Sequence, residues 1–458
     1  MTSTSNFKQA TIELSKSFWG QLLSEESDGY EEARKVHNNL IDKRPILIAR
    51  CQGLADIVET VNLARAHDLE VTVRGGGHSI PGRAVQDGAL MIDLSSMKGI
   101  HVNTEALTVR AQGGVTWGEF NRETQLHGLI TTGGVVSTTG IAGLTLGGGY
   151  GWLYGKCGAV VDNLVSVQIV MADGRVVTAS DQENPDLFWA VRGAGANFGI
   201  ATSLEYRLHQ IGPTVTGGLV AHLIEGAREM FQFCRELMAS APDELCVAPG
   251  LLYAPDGSGP PLAGMIVSHC GTLEAAKEAV QPIQKFGSPV MDTIGPLSYY
   301  QLNTMLDAYY PKGISYYWKA RFLTEMSDEA IDTMIDCFSR CPNTTSQIIL
   351  EPYHGVASRV AVDAMAYPIR VNGFNLLVLS QWTDSSQTEQ CIEWTRETYD
   401  AMEPFMTEAR YSNYLAHDEA KGSVAAAYGP NYQRLCELKQ KYDPNNFFHV
   451  NANLPPLS

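Results

Sequence analysis

Residues 71–79 read VTVRGGGHS, and this stretch decides the fold of the first part of the chain. Val71 and Val73 alternate as in a strand, and the three glycines that follow let the backbone turn tightly and expose its amides. Such a turn can bind a pyrophosphate without obstruction by a Cβ atom. The glycine run follows the second strand of a strand, helix, strand unit, whereas a Rossmann site needs it between the first strand and the helix. A Rossmann fold is therefore not expected.

A second glycine-rich stretch, residues 133–151, reads GGVVSTTGIAGLTLGGGYG. Eight of its nineteen residues are glycine, far above the typical frequency of ~7%. Val135, Ile141 and Leu146 lie between the glycines, so a solvated linker is not expected. The stretch predicts a nearly bare peptide surface against which a planar ring system packs.

Three further segments complete a pattern with a fixed order along the chain. They read VVDNL at 160–164, LFWAVRGAGANFGI at 187–200 and YGPNYQRLCELKQKYDPNNFFHVN at 428–451. With the two glycine-rich stretches, they resemble the berberine-bridge-enzyme-like FAD oxidases of the vanillyl-alcohol-oxidase superfamily. The resemblance covers nearly the whole chain and is nearest to the bacterial branch that includes hydroxynicotine oxidases. It implies an α+β fold of two domains, in which a substrate domain of antiparallel sheet covered by helices adjoins the FAD-binding fold.

The signals for secondary structure divide the chain in the same way. Beyond Leu208 the glycine density drops, and strands near 218–223, 262–269, 314–323, 346–353 and 374–382 alternate with helices near 225–240, 272–285, 327–340 and 386–403. We therefore expect a first part of the FAD-binding domain at 1–207, a substrate-binding domain at 208–409, and a C-terminal return to the FAD-binding domain at 410–458.

The resemblance implies a set of residues that hold the cofactor. His78 is expected to form a covalent bond to the methyl carbon on the benzenoid edge of the flavin. The residues expected to hold the pyrophosphate are Arg74, Gly75, Gly76, Gly77 and Ser79. Those expected to lie along the FAD are Gly140, Gly143, Asp162, Asn163 and Ile200, and Asn451 is expected to close the far side of the ring. Many relatives carry a second flavin link through a cysteine at the position that Val136 occupies here, so we expect one link only. Cys157 is interpreted as a non-reactive thiol packed near the cofactor.

Oxidation of an alcohol or amine requires a proton acceptor beside the carbon that loses hydride. The resemblance implies that Tyr414, in RYSNYLAHD at 410–418, is this base, and Tyr411, three residues earlier, is the second candidate. The reference pKa of tyrosine is ~10, so the environment of Tyr414 would have to favour the phenolate.

Other polar residues are candidates for substrate contacts. By its spacing to Trp382, Asn375 occupies the position at which other relatives carry a catalytic glutamate. An amide cannot act as that base, so Asn375 is interpreted as a hydrogen-bond partner of the substrate, together with Gln381 on the same strand. Glu351 and His354, in QIILEPYHG at 347–355, either touch substrate or are satisfied at the end of a strand.

The composition excludes several classes of protein. The formal net charge is −17 and the chain has no run of Lys and Arg, which argues against a nucleic-acid partner. No segment reaches the ~20 apolar residues of a membrane span, and the first residues do not read as a signal peptide, so a cytoplasmic protein is expected. Nine scattered cysteines without a CxxC pair predict reduced thiols and no metal site. A monomer or a homodimer fits the sequence equally well.

These observations predict an oxidase with one covalently bound FAD. Hydride would pass from a small organic substrate to the flavin, and molecular oxygen would then be reduced to hydrogen peroxide. The substrate could be an oligosaccharide, an alkaloid-like amine or a polyketide alcohol. Two alternatives stay open: a flavin dehydrogenase that uses another electron acceptor, and a non-redox cyclase or binding protein on the same fold.

Overall fold

The computed structural model describes residues 2–254, 256–420 and 422–457. The strands of the first part are β1 Gln21–Leu23, β2 Leu47–Arg50, β3 Val71–Arg74, β4 Leu90–Asp93, β5 Ile100–Asn103, β6 Thr108–Gln112, β7 Leu129–Ile130, β8 Leu164–Val170, β9 Val176–Ser180, β10 Ile200–Arg207 and β11 His209–Gln210. Its helices are α1 Thr2–Leu14, α2 Tyr30–Ala33, α3 Leu54–Ala66, α4 Trp117–Gln125, α5 Ile141–Leu146, α6 Tyr154–Cys157 and α7 Pro185–Ala194.

These strands form two main sheets. The first has the order β1-β2-β4-β3, and β4 runs parallel to both β2 and β3. The second is antiparallel, with the order β5-β6-β10-β8-β9, and β7 pairs separately with β11. The strand β3 ends at Arg74, so the glycine run begins where the first sheet ends. Thr116 precedes α4, and its backbone N–H donates to the Glu119 carboxylate at 2.8 Å.

A third, eight-stranded sheet follows. Its strands are β12 Thr214–Leu223, β13 Leu245–Leu252, β14 Leu262–His269, β15 Met291–Asp292, β16 Gly295–Ser298, β17 Ser315–Phe322, β18 Gln347–Tyr353 and β19 Gly373–Trp382. The order of neighbouring strands in this sheet is β15-β12-β14-β13-β18-β19-β17, and all neighbours are antiparallel. The strand β16 pairs with β12. The helices of this part are α8 Ala227–Ala239, α9 Leu273–Gln284, α10 Tyr299–Thr304, α11 Asp328–Ser339 and α12 Thr388–Met402.

The two faces of the third sheet have different neighbours. Val247, Val267 and Val378 pack in one core cluster with residues of α8, α11 and α12. The residues next to them in sequence, such as Ala248 and Leu377, point the other way and line a cavity. The fold is therefore the α+β arrangement that was predicted, with an antiparallel sheet covered by helices on one face and a cavity on the other.

The strand β13 was not predicted, although all of its side chains are buried. It contains Pro249, which lacks the N–H that a central strand normally donates, and proline in an apolar run argues against a strand. The structure accommodates Pro249 because β13 pairs with β18 through Gly250 and Leu251 only.

The last helices, α13 Ser423–Tyr428 and α14 Tyr432–Tyr442, bring the chain back to the first part. The buried Lys439 ammonium donates hydrogen bonds to the carbonyls of Asn197 (2.8 Å) and Phe448 (2.9 Å). The proposed domain boundaries at 207/208 and 409/410 stay predictions. Within the described residues, no helix combines the length and the apolar character needed to cross a membrane.

Candidate active site

A cavity of about 280 Å³ lies between the glycine-rich segments and the open face of the third sheet. One side is almost free of side chains, because it is formed by Gly75, Gly76, Gly77, Gly134, Gly140, Gly143 and Gly147. The opposite side carries aromatic and aliphatic side chains and one carboxylate, Glu351. Ser79 and Asn451 also line the cavity, as the sequence predicted for residues along the cofactor.

The glycines are required by close contact between two backbone segments. A methyl group added to Gly76 would lie 2.4 Å from the backbone nitrogen of Gly140, and one added to Gly140 would lie 2.3 Å from the nitrogen of Gly76. Gly77 has a φ of 70°, which favours glycine. Gly143 differs, because a methyl group there would meet no protein atom within 4 Å. It leaves open space on the cavity surface, which a flat ligand can occupy.

His78 lies at the wall of this cavity with its ring held on two sides. Its Nε2 shares a 2.7 Å hydrogen bond with the Thr138 hydroxyl. The His37 ring stacks on it, with centroids 3.9 Å apart and an angle of 25° between the planes. Burial lowers the pKa of His78 well below its ordinary value, and burial also lowers the pKa of His37 to about 4. Both imidazoles are therefore neutral at pH 7, which keeps a ring nitrogen of His78 available as a nucleophile.

Arg74 does not reach the cavity, which corrects the expectation that it contacts a pyrophosphate. Its Nε donates to Asp93 Oδ1 at 3.0 Å, a second nitrogen pairs with Asp93 Oδ2, and Nη1 donates to the carbonyls of Ala33 (2.6 Å) and Lys35 (3.1 Å). The guanidinium is therefore used to hold the glycine loop in place.

Arg83 is the cation that the sequence analysis missed. It lines the cavity, and the hydrogen bond found for its guanidinium runs to the carbonyl of Leu415 (3.1 Å). Burial lowers its pKa against the opposing effects of Tyr428 and Glu419, and among the residues that the structure describes it forms no salt bridge. It can therefore pair with an anionic ligand group.

Three more predicted cofactor residues lie away from the cavity wall. Asp162 forms a buried ion pair with Arg370, through two hydrogen bonds of 2.8 Å. The Asn163 side chain donates to the carbonyls of Cys157 and Ala159 and bonds to His209. Ile200 packs in the core between the first two sheets. These residues support the walls of the site and do not line it.

The position of the second flavin link in relatives is filled by an unreactive side chain. Val136 lines the cavity and packs with Trp152 and Cys157. Cys157 is buried outside the cavity lining, and burial raises the pKa of its thiol to about 12. A thiol in this environment is a poor nucleophile at neutral pH.

Glu351 is at the centre of a hydrogen-bonded cluster in the cavity wall. The Tyr414 hydroxyl donates to Glu351 Oε1 at 2.7 Å, and Asn375 Nδ2 donates to Oε2 at 3.0 Å. Burial raises the pKa of Glu351 to about 7, against the opposing effect of these two hydrogen bonds. Within the described residues, no Lys, Arg or His forms an ion pair with it. Such a carboxyl group can take up and release a proton near neutral pH.

The surroundings of Tyr414 do not favour the phenolate that a catalytic tyrosine needs. Burial and the neighbouring Glu351 charge raise the pKa of Tyr414 well above its ordinary value. In the structure Tyr414 is therefore a protonated hydrogen-bond donor to Glu351. Asn375 is fully buried and absent from the cavity lining, so it too acts on Glu351 and not on a substrate, which corrects the earlier interpretation.

The other polar candidates have structural partners. The Tyr411 hydroxyl accepts hydrogen bonds from the Gly149 N–H and from Asn413, both at 2.9 Å, and thereby anchors the second glycine-rich stretch. His354 is buried against Gly155 and does not line the cavity, and neither does Gln381.

The residues present fit a flavin. The bare surface around Gly143 offers space for a planar ring, the turn at Gly75 to Gly77 exposes backbone amides, and Arg83 offers a positive charge for a diphosphate. A neutral histidine and a carboxyl group that titrates near pH 7 line the same cavity. The fold and the cavity thus indicate an FAD-binding oxidoreductase.

The comparisons with known proteins give the family. Residues 45–180 match the FAD binding domain family, and residues 410–455 match the berberine and berberine-like family. An FAD-linked oxidoreductase of Aspergillus terreus, pgmH, is 33% identical over 448 residues, which cover 91% of this chain and 89% of the relative. The (R)-6-hydroxynicotine oxidase of Paenarthrobacter nicotinovorans is 29% identical over 470 residues, which cover 96% of this chain and 97% of the relative. The chain belongs to the berberine-bridge-enzyme-like FAD-linked oxidoreductases of the vanillyl-alcohol-oxidase superfamily.

Solved structures agree with this family. The crystal structure of 6-hydroxy-D-nicotine oxidase from Arthrobacter nicotinovorans superposes with a TM-score of 0.88 at 27% identity, covering 96% of this chain and 98% of that one. A chitooligosaccharide oxidase has the same fold, with a TM-score of 0.86 at 21% identity and full coverage of both chains. Because an oxidase named for hydroxynicotine and one named for chitooligosaccharides share this fold, the fold alone does not identify the substrate.

Proposed function

We propose that this enzyme oxidises a small organic molecule by removal of a proton to Glu351 and of a hydride to FAD, and that molecular oxygen then reoxidises the cofactor with release of hydrogen peroxide. The observation that carries this proposal is the Glu351 carboxylate, which lines the same cavity as the bare glycine surface and His78. Its pKa of about 7 matches the task of a general base near neutral pH.

The residues of the first part and of the C-terminal return would hold the cofactor. Gly75, Gly76 and Gly77 supply backbone amides, Arg83 neutralises the diphosphate, and Ser79, Gly140, Gly143 and Asn451 line the remaining length. When bound, FAD supplies the two-electron acceptor for the substrate and for the return of electrons to oxygen. We further propose that residues 1–207 and 410–458 form this half of the site and residues 208–409 the substrate wall.

We infer a single covalent link, through His78. The hydrogen bond to Thr138 occupies Nε2, and no hydrogen bond is found for Nδ1 within the described chain. We therefore propose Nδ1 as the linked nitrogen. Val136 offers no nucleophile at the position of the second link, which supports one bond.

The His37 stack predicts a measurable effect on the attachment. His37 holds the ring plane of His78, and its backbone N–H donates to the carbonyl of Gly77 at 3.0 Å. We expect His37→Ala to slow covalent attachment several-fold, whereas His37→Phe, which keeps an aromatic face without a charge, should preserve it. The measurement is the rise with time of protein-bound flavin after FAD is added to the apoprotein and samples are denatured. Equal rates for all three proteins would show that the stack is irrelevant to attachment.

The electron acceptor can be tested directly. A screen of aromatic amines, aromatic alcohols and oligosaccharides is expected to find substrates that bleach the flavin anaerobically and release hydrogen peroxide, with oxygen consumed in equal amounts. Bleaching without peroxide in air, relieved by an artificial acceptor, would identify a dehydrogenase. Product formation without any bleaching would identify the non-redox alternative.

A further inference from the structure

The substrate wall of the cavity, formed by residues 208–409, carries few polar groups. Residues 208–409 contribute six aliphatic side chains to the lining, namely Ala248, Ile266, Leu306, Ile349, Leu377 and Leu379. Three aromatic residues, Tyr310, Tyr316 and Trp318, complete this surface beside Glu351. Such a surface is suited to a ring-bearing apolar molecule, because apolar contact area is the main gain on binding.

The hydroxyls of the two tyrosines in this wall have already used their one donor hydrogen. The Tyr310 hydroxyl donates to Gln347 Oε1 at 3.2 Å, and the Tyr316 hydroxyl donates to the carbonyl of Pro311 at 2.6 Å. An oligosaccharide would bring many hydroxyl groups into this space, and most would lose their water without gaining a partner. The wall therefore disfavours sugars.

Glu351 adds a charge that the protein does not neutralise. Its side chain is buried, and its hydrogen-bond partners, Tyr414 and Asn375, are both neutral. Within the described residues, no salt bridge to Glu351 is formed, although a buried carboxylate is normally paired. A cationic group on the ligand would supply the missing partner.

We propose that the substrate of this site is an apolar, ring-bearing amine that binds as an ammonium ion paired with Glu351. This proposal rests on the proposed function and names its substrate class. The ammonium gives one proton to Glu351, which frees the lone pair of the nitrogen. The neighbouring C–H bond then breaks with loss of hydride to FAD, and the lone pair forms the C=N bond of an iminium product. An alcohol of the same shape would bind without the ion pair.

The test uses two ligands of equal shape that cannot be oxidised. In 2-phenylpropan-2-amine and 2-phenylpropan-2-ol, the carbon bearing nitrogen or oxygen has no hydrogen. The holoenzyme is titrated calorimetrically at pH 8, where Glu351 is mostly ionised. We expect the amine to bind at least ~10-fold more tightly than the alcohol, a difference of the size that a hydrogen bond to a charged group contributes. Cellobiose is expected not to bind.

Two variants separate charge from shape. Glu351→Gln keeps the volume and removes the charge, so the preference for the amine should fall to less than ~3-fold. Trp318→Leu should weaken the amine and the alcohol equally and leave their ratio unchanged. Amine and alcohol binding with equal affinity, a preference that survives in Glu351→Gln, or tighter binding of cellobiose would overturn the proposal.

The result does not depend on whether the variant folds or whether the enzyme turns over. If Glu351→Gln does not fold, the wild-type protein is titrated with tert-butylbenzene, which carries a methyl group in place of the ammonium. If tert-butylbenzene binds as tightly as the amine, the ion pair is refuted. Because none of these ligands can react, the binding ratio is measured separately from peroxide release. An enzyme that prefers the amine but oxidises nothing would contradict the proposed function alone.

Discussion

Replacement of His78 by alanine is expected to abolish covalent attachment of the flavin. Wild-type protein precipitated with acid should stay yellow, whereas His78→Ala should release all of its flavin into the supernatant. The physical reason is that His78 is the proposed nucleophile at the cavity wall, neutral because burial lowers its pKa and held by Thr138 and His37. The mass of the denatured protein measures the attached fraction.

The cavity without the link should still bind FAD. The glycine surface, Arg83 and Asn451 do not depend on the imidazole, so native His78→Ala is expected to be yellow after purification with added FAD and to lose it on denaturation. Oxidase activity should fall but persist, since the tether is not needed for proton removal by Glu351.

Cys157→Ala is the matched control for this prediction. Its thiol is buried outside the cavity lining and its pKa is raised to about 12 by burial, so the variant should keep the full attached fraction. Flavin that stays covalently attached in His78→Ala and is lost from the double variant His78→Ala/Cys157→Ala would mean that the thiol carries a second link. It would also mean that the assignment of Val136 to the second position is wrong.

The parts of the site that follow from local sequence could be predicted. The turn at Gly75 to Gly77 and the glycine-rich stretch around Gly140 depend on backbone freedom, which the residue type itself determines. His78 follows the turn directly. The antiparallel sheet was predictable for most strands, because each alternates or forms a short apolar run between helices.

The roles of charged and polar side chains depend on strand pairing, which the sequence does not give. Arg74 adjoins the glycine turn in sequence, but in the register of β3 with β4 it lies opposite Asp93 and is held there. Glu351 lies opposite Asn375 in the register of β18 with β19, so the Asn375 amide, interpreted from the sequence as a partner of the substrate, donates to Glu351 instead. The same limit applies to His37, which precedes His78 by 41 residues and stacks on it only after folding.

Glu351→Gln is expected to reduce kcat by a factor on the order of 10²–10⁴, the usual contribution of a general base. The amide keeps the volume and can still accept from Tyr414, but it cannot take up a proton. Wild-type kcat/KM should fall as the pH drops through about 7, because protonated Glu351 is no longer an acceptor. Stopped-flow reduction of the flavin over pH 5–9 measures both effects. The fall in rate on the acid side of the pH profile, the acid limb, should be absent from the variant.

Tyr414→Phe distinguishes the two candidate bases. If Glu351 is the acceptor, this variant should retain more activity than Glu351→Gln, and its acid limb should move to higher pH, because the lost hydrogen bond favours the carboxylate. The neighbouring Tyr150, Tyr310 and Tyr411 have pKa values raised by burial, so they stay protonated over this range and cannot produce the limb. A loss in Tyr414→Phe as large as in Glu351→Gln, with an unshifted limb, would return the role of base to the tyrosine.

The same pKa makes a prediction about stability, which separates a functional carboxylate from a structural one. A carboxyl group whose pKa is higher in the folded than in the unfolded protein destabilises the fold when it ionises. For Glu351 this destabilisation grows as the pH rises from about 4.5 to about 7, and it is complete above pH 7. Glu351→Gln removes this destabilisation, so its Tm should exceed that of the wild type by more at pH 8 than at pH 5. A structural carboxylate would behave in the opposite way, because its removal at pH 8 would lower the Tm. Calorimetric scans of both proteins at the two pH values therefore test whether Glu351 is retained for its chemistry at the expense of the fold.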